Sequence, residues 1–252
     1  MTIMRNDYTG LRRTLKSVES QKSSDVYCLV IDGSDESKRQ NVNEMCSIPS
    51  DQFMVLQEFD EGIYDAMNKW KRTQFKSDLV CWLNAGDILP NEHVAKRVSA
   101  DFEQRKWDWL YGNLQMINHD NEVLMISRKT PFNMFLFSMG IRWIPHEASY
   151  FTYSFLKTLG PYRKDLGVGA DQEFLMRAAK KCAPHTIPDI LVSMRAGGAH
   201  TQLKSIRRQL SWQTFREHND CLFLGSKILD SFLFPLLLVL DKIPTSSRKI
   251  KS

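Results

Sequence analysis

The chain is poor in the features that would place it in several common classes. Its five cysteines (Cys28, Cys46, Cys81, Cys182, Cys221) are odd in number and scattered, with no CxxC pair and no Cys/His cluster. That excludes a disulfide framework and a structural zinc site, and a reducing cytosol is the natural compartment. Cys28 and Cys81 lie inside apolar runs and read as small core residues. Residues 1–8 contain no apolar stretch of the kind a secretory signal needs. No internal repeat and no low-complexity linker divides the chain. The formal net charge is only +5, without a concentrated basic stripe. Nucleic acid is therefore not an expected partner, whereas an anionic small molecule or an anionic membrane surface is.

What is present describes an α/β protein. A chain of 252 residues, 42% hydrophobic and 25% charged, can bury a sizeable core as one large domain, or one domain plus an appendage. Residues 25–31, 52–58 and 78–83 are short runs of β-formers, apolar throughout rather than alternating, as in strands covered on both faces. Helical stretches at 10–21, 63–72 and 91–106 lie between and after them. This alternation predicts βαβ units and a mainly parallel sheet flanked by helices. Beyond Trp109 the spacing predicts a hairpin of 109–117 and 123–127, a helix over 169–181 and a strand over 190–194. The expected layout is one domain over residues 1–215, with a nucleotide-binding half to about 110 and an acceptor half beyond. Residues 216–252 form a helical tail. Within it, residues 222–240 are strongly apolar but interrupted by Lys227, Asp230 and Pro235, too short for a span of roughly 20 apolar residues. Arg207, Arg208 and Arg216 precede this run; Lys242, Arg248, Lys249 and Lys251 follow it. A helix packed on the domain would account for the run. The basic flanks favour an interfacial membrane anchor.

In open parallel sheets ligands bind beyond the carboxyl ends of the strands, and three acidic turns fall there. They are Asp32, then Asp60-Glu61-Gly62, then Asn84-Ala85-Gly86-Asp87. Each alone is an ordinary Asp/Asn/Gly turn. Together on one edge they repel unless a positive charge sits between them, and a divalent cation on a diphosphate would supply it.

The stretch Asp60-Glu61-Gly62-Ile63-Tyr64-Asp65-Ala66-Met67-Asn68-Lys69, followed by Trp82-Leu83-Asn84-Ala85-Gly86-Asp87, resembles the family 2 glycosyltransferases. It is most similar to their colanic-acid and capsular-polysaccharide branch. Arg5-Asn6, Asp32-Gly33-Ser34, Pro145-His146-Glu147-Ala148, Ala170-Asp171 and residues 194–198 match in the same order. The resemblance covers roughly residues 1 to 200. It implies the GT-A fold and inverting transfer of a sugar from a nucleoside-diphosphate sugar. The acceptor would be a saccharide, expected to be lipid-linked, in surface polysaccharide biosynthesis. The enzyme would then work in the cytoplasm, peripherally on the inner face of the cell membrane. By resemblance, Asp32 contacts the base, Asn84 faces the ribose or diphosphate, Asp87 binds Mn²⁺ or Mg²⁺, and Asp171 deprotonates the acceptor hydroxyl. Such chemistry needs those roles, because the leaving diphosphate gains charge and the incoming hydroxyl is a poor nucleophile. A single in-line displacement needs one base, unlike the two carboxylates of a glycosidase.

Further donor-side candidates are Arg5, Glu61, Asp65, Asn68, His146 and His200. His146 reads equally as a hydrogen-bonded histidine, and His200 as a diphosphate contact or a third metal ligand. On the helix from Ile63, the stripe Ile63, Met67 and Trp70 is expected in the core, leaving Asp65 and Asn68 to face the donor. Glu173, two residues beyond Asp171, points elsewhere and reads as structural. Two departures from the family stand out. Thr2-Ile3-Met4 is a stub of a first strand that normally starts earlier, which would leave the sheet poorly covered. Trp70 stands where this branch has glycine, and would narrow the pocket or add to the core. The rival functions are a nucleotide-sugar-binding protein without turnover and a nucleotidyltransferase. The second would need a glycine-rich phosphate loop, and residues 5–13 hold only Gly10.

Overall fold

A computed structural model describes residues 1–22, 25–73, 77–196, 205–233 and 247–249; for 205–210 and 247–249 it describes the backbone. The first half contains β1 (Thr2–Met4), α1 (Tyr8–Glu19), β2 (Cys28–Asp32), β3 (Phe53–Gln57), α2 (Ile63–Asn68), β4 (Leu79–Cys81) and α3 (Val94–Arg105). The second contains β5 (Trp109–Ile117), β6 (Val123–Ser127), α4 (Met134–Ser138), β7 (Ser149–Thr152), α5 (Tyr153–Leu159) and α6 (Ala170–Lys181). It ends in β8 (His185–Arg195), α7 (Ser205–His218), α8 (Lys227–Phe232) and β9 (Ser247–Lys249).

β1, β2 and β3 pair in parallel, with Ile3 opposite Ile31 and Ile31 opposite Leu56. β2 is buried at every position, as its unbroken apolar run predicts, whereas β3 is the edge strand and leaves Met54 exposed. The second half adds antiparallel pairs, β4 with β7, β7 with β5 and β5 with β6, plus the parallel pair β5 with β8. Three backbone contacts join the two parts into one surface. Met1's ammonium donates to Cys81 O (2.8 Å), Leu83 N to Met1 O (2.9 Å) and Ala85 N to Ile3 O (3.1 Å). The short first strand therefore does not leave the sheet uncovered: all three of its residues are buried.

An aromatic core fills the space beneath α2, α5 and α6. Trp82 is fully buried, in edge contact with Phe151, Tyr162 and Phe174. Each such ring contributes about 1.5–3 kcal/mol by burial. Trp70 adds to this core rather than narrowing a pocket, packing edge-on against Tyr153 at 5.7 Å. Met67 joins it, but Ile63 does not. As the first residue of α2, immediately after Gly62 (φ +129°), Ile63 projects from the helix mouth and is 48% exposed.

The boundary expected near residue 215 falls inside α7. Trp212 and Phe215 belong to the core cluster, and Arg216 forms a buried ion pair with Asp230 of α8. The tail is not wholly helical either. Arg248 and Lys249, expected as basic flank, lie in β9, which pairs antiparallel with β6.

Candidate active site

The turn after β4 is built by α1. Thr14 Oγ1 donates to Asp87 O (2.8 Å) and accepts from Gly86 N (3.0 Å). Gly86 has φ +100°, a backbone conformation that favours glycine. Ile88 then exchanges two backbone bonds with Ser193 of β8. This register brings Arg195 N to Asp87 Oδ1 at 3.1 Å. Asp87 is thus nearly buried, with one backbone donor, at the carboxyl edge of the sheet.

Asn84 Nδ2 donates to Glu147 Oε1 at 2.9 Å, while Asn84 Oδ1 is buried without a partner. Burial, then the charge of Glu147, pushes Asp87 well above the ordinary carboxylate range. Burial pushes Glu147 up too; His146 offsets part of this and Asp171 adds to it. The carboxylates that crowd one another are therefore Asp87, Glu147 and Asp171, not the three strand-end turns expected from the sequence.

Asp32 has no exposed surface. Its oxygens accept from Tyr8 Oη (3.0 Å), Gln57 Nε2 (2.9 Å) and Ser34 N (2.9 Å), so the carboxylate shapes its turn rather than lining a cleft. Asp60 is buried as well, accepts from Gly62 N and lies 4.0 Å from Arg5. It covers Gly33 so closely that a Cβ there would collide with the carboxylate. Arg5 also lies 3.7 Å from Asp35 and over the exposed Phe59 ring. Beside these residues opens a groove of about 750 Å³, lined by Ser34, Asp35, Arg39, Gln57, Glu58 and Phe59 among others.

Lys164 Nζ bridges Glu61 (2.7 Å) and Asp65 (2.9 Å). The hydrogen bond from Lys164 holds Asp65 below its usual range. Asn68 does not face an open site: its amide clasps the Tyr162 backbone, accepting from N (2.8 Å) and donating to O (3.0 Å). His146 is also enclosed, with Nε2 2.8 Å from Tyr162 Oη and Nδ1 buried without a partner. His200 lies outside the described residues.

Asp171 stands in the first turn of α6, where the helix dipole favours an anion. Tyr64 Oη donates to Oδ1 and Gln172 Nε2 to Oδ2, both at 3.2 Å. Tyr64 stacks on Tyr162, and burial together with Asp171 raises its phenol strongly, so it remains a donor. Glu173 is structural as expected, paired with Arg177 and Asn219. Sequence reasoning passed over Tyr64, Glu147, Lys164 and Arg195. Tyr64, Glu147 and Arg195 stand inside the quoted stretches 60–69, 145–148 and 194–198, whereas Lys164 lies in none of them.

A Mycobacterium tuberculosis protein described as an uncharacterized glycosyltransferase is 33% identical over 203 residues, covering 79% of this chain and 74% of its own length. The same match recurs in a second strain. The chain belongs to the glycosyltransferases. No protein-family model matches it. Among solved structures, S. aureus TarS 1–349 with UDP-GlcNAc superposes on this glycosyltransferase with a TM-score of 0.66. Its sequence is 15% identical, and the match covers 95% of this chain and 70% of that one. A Pyrobaculum calidifontis mannosyltransferase with GDP-Man and Mn²⁺ gives 0.64 at 14% identity, covering 95% and 71%. The fold is GT-A.

Among the described residues, no group of three or more His, Cys, Asp or Glu could hold a metal by itself. The residues fit a metal ion that a bound ligand helps to hold. Asp87, Glu147 and the unpartnered Asn84 Oδ1 are oxygen donors of the kind such an ion prefers, and too few for it unless a diphosphate supplies the rest.

Proposed function

We propose that this glycosyltransferase moves a sugar from a nucleoside-diphosphate sugar to a hydroxyl of a lipid-linked saccharide, by one inverting displacement, in surface polysaccharide biosynthesis of the colanic-acid or capsular type. The observation that carries the reading is Asp171, a carboxylate fixed by Tyr64 and Gln172 beside the Asn84/Asp87/Glu147 group. The two donors orient the carboxylate, and Asp171 takes the acceptor proton as the new C–O bond forms and the bond to the diphosphate breaks. Arg5, Asn84 and Lys164 orient the donor. Asp87 would hold Mn²⁺ or Mg²⁺ together with the diphosphate, and that ion would neutralise the charge gathering on the leaving group. The neighbours solved with UDP-GlcNAc and with GDP-Man and Mn²⁺ support a donor of this class.

An acceptor confined to lipid would be met at a membrane surface. Supporting that location, the α8 region exposes Leu224 (77%), Ile228 (73%) and Phe232 (75%). No helix among the described residues is long and apolar enough to cross a membrane. The test of the donor reading is a thermal-shift and product-release panel of UDP-, GDP- and dTDP-sugars with and without Mn²⁺. Metal-dependent stabilisation and nucleotide release by at least one donor are expected, both lost in Asp87→Ala. EDTA-insensitive binding that survives in Asp87→Ala would remove Asp87 from the metal role.

A further inference from the structure

Lys129 lies between β6 and α4, and nothing derived above uses it. Its backbone is fixed at both ends: N donates to the buried Asn113 Oδ1 (2.7 Å), and O accepts from Tyr111 Oη (3.1 Å). The residue is 5% exposed, and its ammonium sits 4.4 Å from the centre of the Trp143 ring. Among the described residues no carboxylate pairs with it. The charged group that acts on it is another cation, Arg142, and burial with that repulsion pulls the amine down to about 8. Arg142 donates to Pro131 O at 2.9 Å and, among the described residues, has no ion pair either. A single cation–π contact is small against the cost of burying an ammonium unpaired beside a guanidinium. Such an arrangement is stable in use when an anion completes it.

The position gives that anion a purpose. Trp143 is followed by Ile144, whose N and O are both held by the Gln172 amide (3.2 and 2.9 Å). The same amide donates to Asp171. The Lys129/Arg142 pair therefore borders the 142–144 segment whose far end is tied to the acceptor base, and neither residue lines the groove beside Arg5 and Asp60.

We infer that Lys129 and Arg142 form a phosphate subsite on the acceptor side, which binds a phosphate group of the acceptor and sets its hydroxyl against Asp171. Lys129 supplies a near-point charge from an almost buried side chain, and Arg142 supplies a planar fork suited to phosphate oxygens. This deepens the proposed function and rests on Asp171 being the acceptor-side base.

The test is calorimetric titration of the full chain, with its donor site saturated by UDP or GDP and Mg²⁺. The probes are inorganic phosphate, a short-chain prenyl phosphate and the matching prenol. Wild type is expected to bind the phosphates and not the prenol. Lys129→Met and Arg142→Gln should each weaken phosphate binding by about tenfold or more, while Lys129→Arg retains most of it. Nucleotide affinity should be unchanged in all three. Preference for the prenyl phosphate over inorganic phosphate assigns a lipid-linked source; equal affinity assigns the phosphate group alone. The inference is overturned if wild type takes up neither phosphate, or if Lys129→Met and Arg142→Gln bind as wild type does. Should Lys129→Met not fold, the half-buried Arg142→Gln decides. Failure of nucleotide binding in wild type would count against the donor reading, while the phosphate comparison is then repeated without nucleotide and still decides this one.

Discussion

Asp230→Ala isolates one contact that joins the tail to the domain. Asp230 is fully buried and accepts from Arg216 Nε at 2.9 Å and from Nη2 at 2.5 Å. Arg216 is itself 2% exposed and donates its remaining bond to Ser138 O at 3.1 Å; Trp212 and Phe215 of the same helix belong to the core. Removing the carboxylate leaves a guanidinium in a dry site with one carbonyl for company, a change that costs about 3–5 kcal/mol. For a chain of this size each kcal/mol moves Tm by about 2–4 °C, so a fall of roughly 6–20 °C is expected. Replacing both partners, as in Arg216→Met with Asp230→Leu, should recover most of the loss, because no charge is then stranded. The assay is thermal unfolding at low and high salt; the buried pair should respond weakly to salt. A drop of less than about 3 °C in Asp230→Ala, or a double variant as unstable as the single, would refute the reasoning. It also follows that cutting the chain near His218 destabilises the domain, so a truncated chain cannot serve to test membrane attachment.

Substituting exposed residues tests it instead: Leu224→Ser, Ile228→Ser and Phe232→Ser together should keep Tm and nucleotide binding but lose sedimentation with anionic liposomes. Equal sedimentation would show that this face is not the contact. Asp87→Asn probes the crowded carboxylates through pH. Burial and Glu147 raise Asp87 above its ordinary 3.8, so its contribution to stability is full at low pH and is lost as pH rises through the raised value. The Asn variant should therefore be more stable than wild type near pH 7, with the advantage shrinking toward pH 4, as read by Tm. A pH-independent difference would contradict the like-charge account.

Much of the fold was legible because its signals are local. The bounds 109–117 and 123–127 match β5 and β6, set by two β-forming runs around a polar turn, and the periodic 169–181 segment is α6 with its glycine N-cap. β7 went unseen: four residues, Ser149–Thr152, inserted antiparallel between β4 and β5, are specified by partners about 40 and 70 positions away rather than by their own pattern. The site divided the same way. Asp87 and Asp171 stand on turns or helix starts that the sequence marks. Asp32, Asn68 and His146 carry plausible chemistry, but Tyr8, Tyr162 and Gln57 engage them, and no spacing reports that. Ile63 matched a helical stripe, yet a stripe does not tell that its first residue overhangs the helix end.

The most direct measurement is acceptor-dependent turnover of Asp171→Asn beside its nucleotide affinity. The variant keeps the shape and the bonds' geometry but cannot take the proton. Turnover should fall on the order of 10²–10⁴-fold, with nucleotide affinity within about threefold of wild type, less than 1 kcal/mol. Turnover near the wild-type rate, or loss of donor binding in step with rate, would contradict Asp171 as the base.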